Sequence, residues 1–208
     1  MILVEGTPVC TITLSAPDGN VLDLDDLTTL EEAVTVAVAD EAVSAIVITG
    51  SGDAFSTGAR VEDLDDADAI DCMADRLTAI VTTLVNAPKP VVARVNGDAM
   101  GGGVALVGAA DLAIASPAAR VALPEARYGI VATVAIDAIA DKISQVTLLD
   151  LVLTGRALPA AEARTAGLFS EVAADGALDD VVASRLRQLA KGGRDALARS
   201  KQRVRRPG

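Results

Sequence analysis

Lys89-Pro90-Val91-Val92-Ala93-Arg94-Val95-Asn96-Gly97-Asp98-Ala99-Met100-Gly101-Gly102-Gly103 holds a strand, a turn and a helix start in one short run. Pro88, Lys89 and Pro90 end the helical pattern before it, because proline lacks the N–H that a helix interior uses. Val91–Val95 is apolar and rich in β-branched residues, so it reads as a buried strand. Asn96-Gly97 is a turn pair. The triplet Gly101-Gly102-Gly103 then opens a helix of small residues. Glycines at a helix start leave the first N–H groups unhindered. Those donors have no partner inside the helix and lie at the positive end of its dipole. Such a segment suits an anion, either a phosphate or a developing oxyanion. A plainer reading has equal weight: the glycines let a strand and a helix approach closely. Neither the dinucleotide fingerprint G-x-G-x-x-G nor the P-loop is matched.

Outward from this run the pattern repeats. Val9–Leu14 alternates small polar and apolar residues and reads as a strand, and Pro17-Asp18-Gly19-Asn20 as a turn. Asp23–Asp40 reads as a helix with an acidic first turn and Leu27, Leu30, Val34 and Val38 at helical spacing. Ala45–Thr49 is a buried strand. The acid-rich stretch from Asp53 to about Asp71 reads as a loop that contains a second glycine-marked segment, Phe55-Ser56-Thr57-Gly58-Ala59-Arg60. Met73–Val85 is helical, with Leu77, Ile80, Val81 and Leu84 on one face. Downstream, Leu112–Ala115 is a short strand and Val121–Leu123 a further candidate. From Ile136 onward the pattern is helical, with breaks near Gly155, Gly167 and Gly176. A strand-strand-helix rhythm followed by a mostly helical third predicts an α/β fold whose apolar sheets are covered by helices.

Composition narrows the chemistry. With 18 Lys plus Arg against 29 Asp plus Glu, the net charge of −11 argues against nucleic acid as a partner. Phe55, Phe169 and Tyr128 are the only aromatics, too few for base-stacking platforms. Histidine is absent, which removes Ser-His-Asp and Cys-His catalysis and leaves a poor ligand set for a metal. Any acid or base must be Asp, Glu, Lys, Cys or Tyr. Cys10 and Cys72 are expected to be small core residues in a reducing compartment. No secretory pattern or membrane-length apolar run is read, so the expected location is cytoplasmic, with no membrane partner. Lys201, Arg203, Arg205 and Arg206 are expected to form a solvated, frayed end.

At this point the chain resembles the enoyl-CoA hydratase/isomerase (crotonase) family, from about Val9 to Lys201. Ala54-Phe55-Ser56-Thr57-Gly58-Ala59 is similar to the family's A-F-[SC]-A-G-A-D. Lys89–Gly97 followed by Gly101-Gly102-Gly103 is similar to K-P-V-I-A-A-V-N-G-x-A-x-G-G-G. Asp111-Leu112-Ala113-Ile114-Ala115 is similar to C-D-L-x-I-A. Leu153-Thr154-Gly155-Arg156, with Glu162-Ala163 and Gly167-Leu168, is similar to L-T-G-x-x-x-x-A-x-E-A-x-x-x-G-L-V. Each motif alone is weak; together they follow the family's order and spacing.

The resemblance implies a crotonase-like spiral of ββα units with C-terminal helices. It divides the chain into an acyl-CoA-binding core over 1–140 and a helical region over 141–208 used for oligomerisation. It implies a homotrimer or hexamer, with apolar positions around Leu148, Leu151, Val181 and Leu186 at the interface. The ligand is an acyl-CoA; no separate cofactor or metal is expected, since coenzyme A enters as part of the substrate. The amides of Ala59 and Gly102 would hold the thioester oxygen as it becomes an enolate, with Gly58, Arg60, Gly101 and Gly103 lining the substrate.

Of the two glutamates typical of hydratases, one position is Ala105 here, and the other is Glu125 in the Pro124-Glu125 pair. Asp137 is a second acid–base candidate and Asp98 a third, with turn capping favoured for Asp98. Arg60 has two readings: a phosphate contact, or the more frequent local pairing with Glu62 or Asp63. Ser15-Ala16-Pro17 replaces the usual basic first turn, and Val131–Ala135 replaces P-x-x-G-G. The family usually continues past the helix containing Lys201, which implies a more open acyl pocket. With one glutamate retained, double-bond isomerisation is the simplest activity, and hydration is harder because water must also be activated. A non-catalytic acyl-CoA binder or helper subunit is the alternative, and a structural homo-oligomer a third reading.

Overall fold

The computed structural model describes residues 1–59 and 67–205. Two sheets run through it. The six-stranded sheet has the order β1 (Ile2–Glu5), β2 (Val9–Leu14), β3 (Ala45–Gly50), β5 (Val91–Val95), β7 (Leu112–Ala115), β10 (Glu171–Val172). Its pairings are parallel apart from β1 with β2. The four-stranded sheet has the order β4 (Ala54–Ser56), β6 (Asp98–Met100), β8 (Arg120–Ala122), β9 (Leu158–Pro159), with only β8–β9 antiparallel. Successive units thus send one strand to each sheet and close with a helix. β3, β4 and α3 (Ala67–Asn86) form one such unit, and β5, β6 and α4 (Gly102–Ala109) the next. β7 and β8 lead into a 3-10 turn, Glu125–Tyr128, and α5 (Thr133–Ile139). α6 (Gln145–Thr154), α7 (Ala160–Ala166), α8 (Leu178–Leu189) and α9 (Arg194–Arg205) follow.

Residue type explains the layering. β3 is buried along its whole length. Ile46 and Ile48 join the main core, while Val47, Val92 and Ile114 meet Leu178 and Val182 of α8 in a second cluster. A parallel sheet covered on both faces needs such continuous apolar runs. α2 (Leu24–Ala39) begins where Asp23 accepts a hydrogen bond from Asp26 N at 2.8 Å, and it packs against α3. α4 is buried from Gly103 to Ala109, as expected of a helix apolar all round. A Cβ built on Gly103 would stand 2.2 Å from Ser56 O, so only glycine lets α4 lie this close to β4. The Pro17–Asn20 element, α1, holds Asp18, Gly19 and Asn20 at positive φ and is a turn in practice. Among the described residues no helix is long and apolar enough to cross a membrane.

Several expectations are corrected. The segment read as a loop from Asp53 contains β4, and α3 starts at Ala67 rather than Met73; three-residue strands are too short to show alternation. The C-terminal third holds β9 and β10 as well as helices. Cys72 is exposed, and Cys10 alone of the two cysteines is a core residue. Lys201 and Arg205 are not frayed: both bind Asp111, at 2.9 and 3.0 Å, while Arg206 lies outside the described residues. Of the apolar positions expected near an interface, Leu151 is fully buried, whereas Leu148, Val181 and Leu186 are half-buried, each keeping part of its surface outside the two cores. The apolar side chains that α6 leaves exposed are Val146, Leu149 and Leu153.

Candidate active site

The second strand of each unit ends at one cavity of about 640 Å³. The chain after β4 supplies Thr57, Gly58 and Ala59; the β6–α4 junction supplies Met100, Gly101 and Gly102; the turn after β8 supplies Pro124, Glu125 and Tyr128. Met73 and Leu77 of α3 and Ile130, Val134 and Ala135 at the start of α5 give it apolar walls. Ligand pockets of about 300–1,000 Å³ with few polar groups are the usual form of a small-molecule site.

Two backbone donors meet there. A Cβ built on Gly58 would stand 3.5 Å from Gly102 N, and one built on Gly102 would stand 3.7 Å from Ala59 N. The two glycine-marked segments are therefore in contact, with their amides on one side of the cavity. Among the described residues, the N–H groups of Ala59 and Gly102 donate to no carbonyl or side chain. Gly102 is the first residue of α4, where an N–H has no partner within the helix. Gly58 and Gly101 have φ of 107° and 50°, so the two segments need glycine for conformation as well as for space.

Glu125 lines the same cavity. Its Oε1 would lie 2.7 Å from a Cβ on Gly101, so the carboxyl rests against the glycine backbone. Its Oε2 is buried and, among the described residues, is the buried side-chain oxygen without a partner. Burial pushes the Glu125 carboxyl up from its ordinary value, and a hydrogen bond from its own backbone N–H opposes this. A carboxyl with one buried oxygen left unpartnered, in a cavity with two N–H donors that have no acceptor among the described residues, can exchange a proton with a ligand bound there.

The structure separates the other candidates. Gly101 lines the cavity; Gly103 lies one residue deeper and packs on Ser56. Asp137 is exposed on α5 and is not a cavity residue. Asp98 accepts from Arg120 N at 3.2 Å and pairs with its guanidinium, again outside the cavity. Ala105 is fully buried within α4. Arg60, Glu62 and Asp63 lie outside the described residues. Sequence reasoning missed Asp18, Asp71 and Tyr128 as cavity residues; Asp18 was read only as part of a turn, and no motif or periodicity marks Asp71 or Tyr128.

Residues 5–207 match the model of the enoyl-CoA hydratase/isomerase family. The chain belongs to that family. It is 35% identical over 165 residues to a Rhizobium meliloti protein named probable enoyl-CoA hydratase, covering 78% of this chain and 64% of that one. It is 32% identical over 144 residues to mitochondrial enoyl-CoA hydratase of Pongo abelii, covering 69% of this chain and 50% of that one. The chain thus spans between half and two thirds of these curated relatives. The crystal structure of an enoyl-CoA hydratase from Mycobacterium smegmatis superposes with a TM-score of 0.92 at 29% identity, covering 97% of this chain and 80% of that one. The spiral of strand pairs and helices is accordingly the crotonase fold, as its family membership requires.

Proposed function

We propose that the protein binds an acyl-CoA thioester with its carbonyl oxygen between Ala59 N and Gly102 N, and that Glu125 moves a proton to or from the acyl carbons. The observation that carries this reading is the buried, unpartnered Glu125 Oε2 in the cavity that is also lined by Ala59 and Gly102, whose N–H groups have no acceptor among the described residues. Two donors at the oxygen lower the energy of the enolate formed when the α-carbon loses a proton. For an isomerisation, Glu125 takes a proton at one carbon, the electron pair is held as the enolate, and the same carboxyl returns the proton at another carbon. Hydration needs a second group to activate water. The family's position for that group is Ala105, so isomerase-type transfer is favoured over hydration. The apolar walls formed by Met73, Leu77 and Val134 suit an uncharged hydrocarbon acyl group. The exposed apolar stripe of α6, Val146, Leu149 and Leu153, suits the interface of a homotrimer or hexamer.

The test is turnover of a panel of enoyl-CoAs by the parent and by Glu125→Gln, with acyl-CoA binding measured beside it. Loss of the base should cost about 10²–10⁴-fold in rate, with affinity far less affected. Unchanged turnover by a folded Glu125→Gln would overturn the reading. Ala105 in place of a carboxylate favours one second reading, an acyl-CoA binder without turnover, and binding without turnover by the parent is its signature.

A further inference from the structure

Glu125 is carried by a four-residue 3-10 turn whose residues are all partly or largely exposed. Inside the turn, Arg127 N donates to Pro124 O at 2.9 Å and Ile130 N to Glu125 O at 3.1 Å. These bonds shape the turn but do not fix where it sits. Outside contacts must do that. β8, just before the turn, pairs with β9, with Val121 opposite Leu158. At the other end Arg127 Nη2 donates to Gly155 O at 2.9 Å and to Thr154 O at 3.3 Å. Thr154 ends α6 and Gly155 is its C-cap, so the guanidinium takes carbonyls that the helix leaves without partners, at the negative end of its dipole. Gly155 lies directly beneath: a Cβ there would stand 3.0 Å from Arg127 Nε and 3.2 Å from Pro124 Cα, and its φ is 61°. α6 is itself anchored by the fully buried Leu151, whose carbonyl accepts from Gly155 N at 2.9 Å.

We propose that Arg127 is a positioning residue: clamped on Thr154 O and Gly155 O, it holds the Glu125 turn against the core at the height of the two backbone donors. The proposal rests on the reading of Glu125 as the proton-transfer group. Arg127 is two residues from Glu125, its side chain points to α6 rather than the cavity, and it is not a cavity residue. Without the clamp the turn keeps its internal bonds but loses its placement. Water then reaches the carboxyl, and its separation from the bound thioester is no longer fixed. The other titratable side chains lining the cavity are Asp18, Asp71 and Tyr128. None of them is altered by changing Arg127.

The test compares Arg127→Ala, Arg127→Lys and Gly155→Ala with the parent and with Arg185→Ala. Arg185→Ala removes an ion pair, to Glu171 at 2.6 Å, that lies outside the cavity. Arg127→Ala should lower kcat on the best enoyl-CoA by about 10–100-fold, the scale of lost positioning partners, with KM changed far less. Arg127→Lys keeps a cation at the end of α6 and should restore part of kcat. Gly155→Ala should resemble Arg127→Ala. A second readout needs no turnover: the ¹³C-carboxyl titration of Glu125, assigned by its loss in Glu125→Gln. Its midpoint should fall towards the ordinary carboxylate value in Arg127→Ala and stay in place in Arg185→Ala. An unchanged midpoint, or a kcat loss no larger than that of Arg185→Ala, overturns the positioning role. Full turnover by Glu125→Gln defeats instead the acid–base reading, and the titration still decides whether Arg127 holds the turn.

Discussion

At its C-terminal end, helix α4 hands its last carbonyls to cations. Lys142 Nζ donates to Ala110 O at 2.7 Å, and Arg205 Nη2 to both Ala109 O and Ala110 O at 2.9 Å. Asp111, the next residue, pairs with Lys201 and Arg205 and accepts from Val91 N at 2.8 Å. At its N-terminal end, Gly102 lines a cavity and its N–H donates to no described residue. One end of the helix is tied into the fold by α9, and the other is left open beside a buried acid. Unmet polar groups in a protein interior cost about 1–3 kcal/mol each. The chain has the means to satisfy a helix end and uses them at one end only. The open end is where a ligand's oxygen would complete the bonding.

Glu125→Gln should break this comparison most. Besides its loss of turnover, it should stabilise the fold at neutral pH. The Glu125 carboxyl is pushed up in the folded protein. Between the ordinary value and the raised one, the folded state binds the proton and the unfolded state does not. Stability therefore falls as pH rises through that window, and the deficit persists above it. Removing the charge removes the deficit. A higher urea midpoint with lower turnover is the expected pair of results; a lower midpoint would mean that the carboxylate is satisfied in the native state.

The packing half of the open end is probed by Gly103→Ala. The added methyl would fall 2.2 Å from Ser56 O, which is backbone and cannot swing aside. Overpacking of this kind costs about 1–3 kcal/mol, read as a shift in the denaturation midpoint. The sequence offered two equal readings of Gly101-Gly102-Gly103: close packing is seen at Gly103, while Gly101 and Gly102 line the cavity, where the anion reading remains a proposal. That division was not legible, because it depends on which side of α4 meets β4. The long strands β2, β3 and β5 and the helix α2 were legible from apolar period and capping residues. The short strands β4, β6 and β8, which carry the site, were poorly legible or invisible, since their pairing is set by the spiral and not by their own residues. Glu125 could be singled out only through the family likeness of Pro124-Glu125. Its clamp was hidden, since Arg127 and Gly155 meet only through tertiary structure.

The closed end of α4 has its own signature in pH. Burial, with Arg205 adding to it, lowers Lys142 to about 8 from its ordinary 10.5. Between those values the unfolded chain binds a proton that the folded chain does not, so stability rises with pH across the window. One proton corresponds to a slope of up to about 1.4 kcal/mol per pH unit. Lys142→Met should remove that rise between pH 8 and 10. Lys201 and Lys89 are lowered as well and act in the same direction, but they are present in both proteins, so the difference reports Lys142 together with its coupling to Lys201. Parallel stability curves for the parent and Lys142→Met would show that Lys142 titrates normally.

The smallest effect is expected from Asp137→Asn. The residue came forward because it follows Val131–Ala135 and the chain has no histidine to serve as a base. Its sequence position places it close to the cavity, since Thr133, Val134 and Ala135 all line it. Its own placement keeps it out: Asp137 is exposed and lies one turn beyond Thr133 and Val134, outside the cavity lining. An exposed carboxylate outside the cavity lining is poorly placed to exchange a proton with a ligand in the cavity. Removing its charge should leave turnover and its pH profile unchanged and shift stability by no more than about 0.5 kcal/mol. The measurement is kcat against pH for Asp137→Asn beside Glu125→Gln. If Asp137→Asn lost the greater share of turnover, the proton would be moving at the outer face of α5. The contrast between the open and closed ends of α4 would then say nothing about the chemistry.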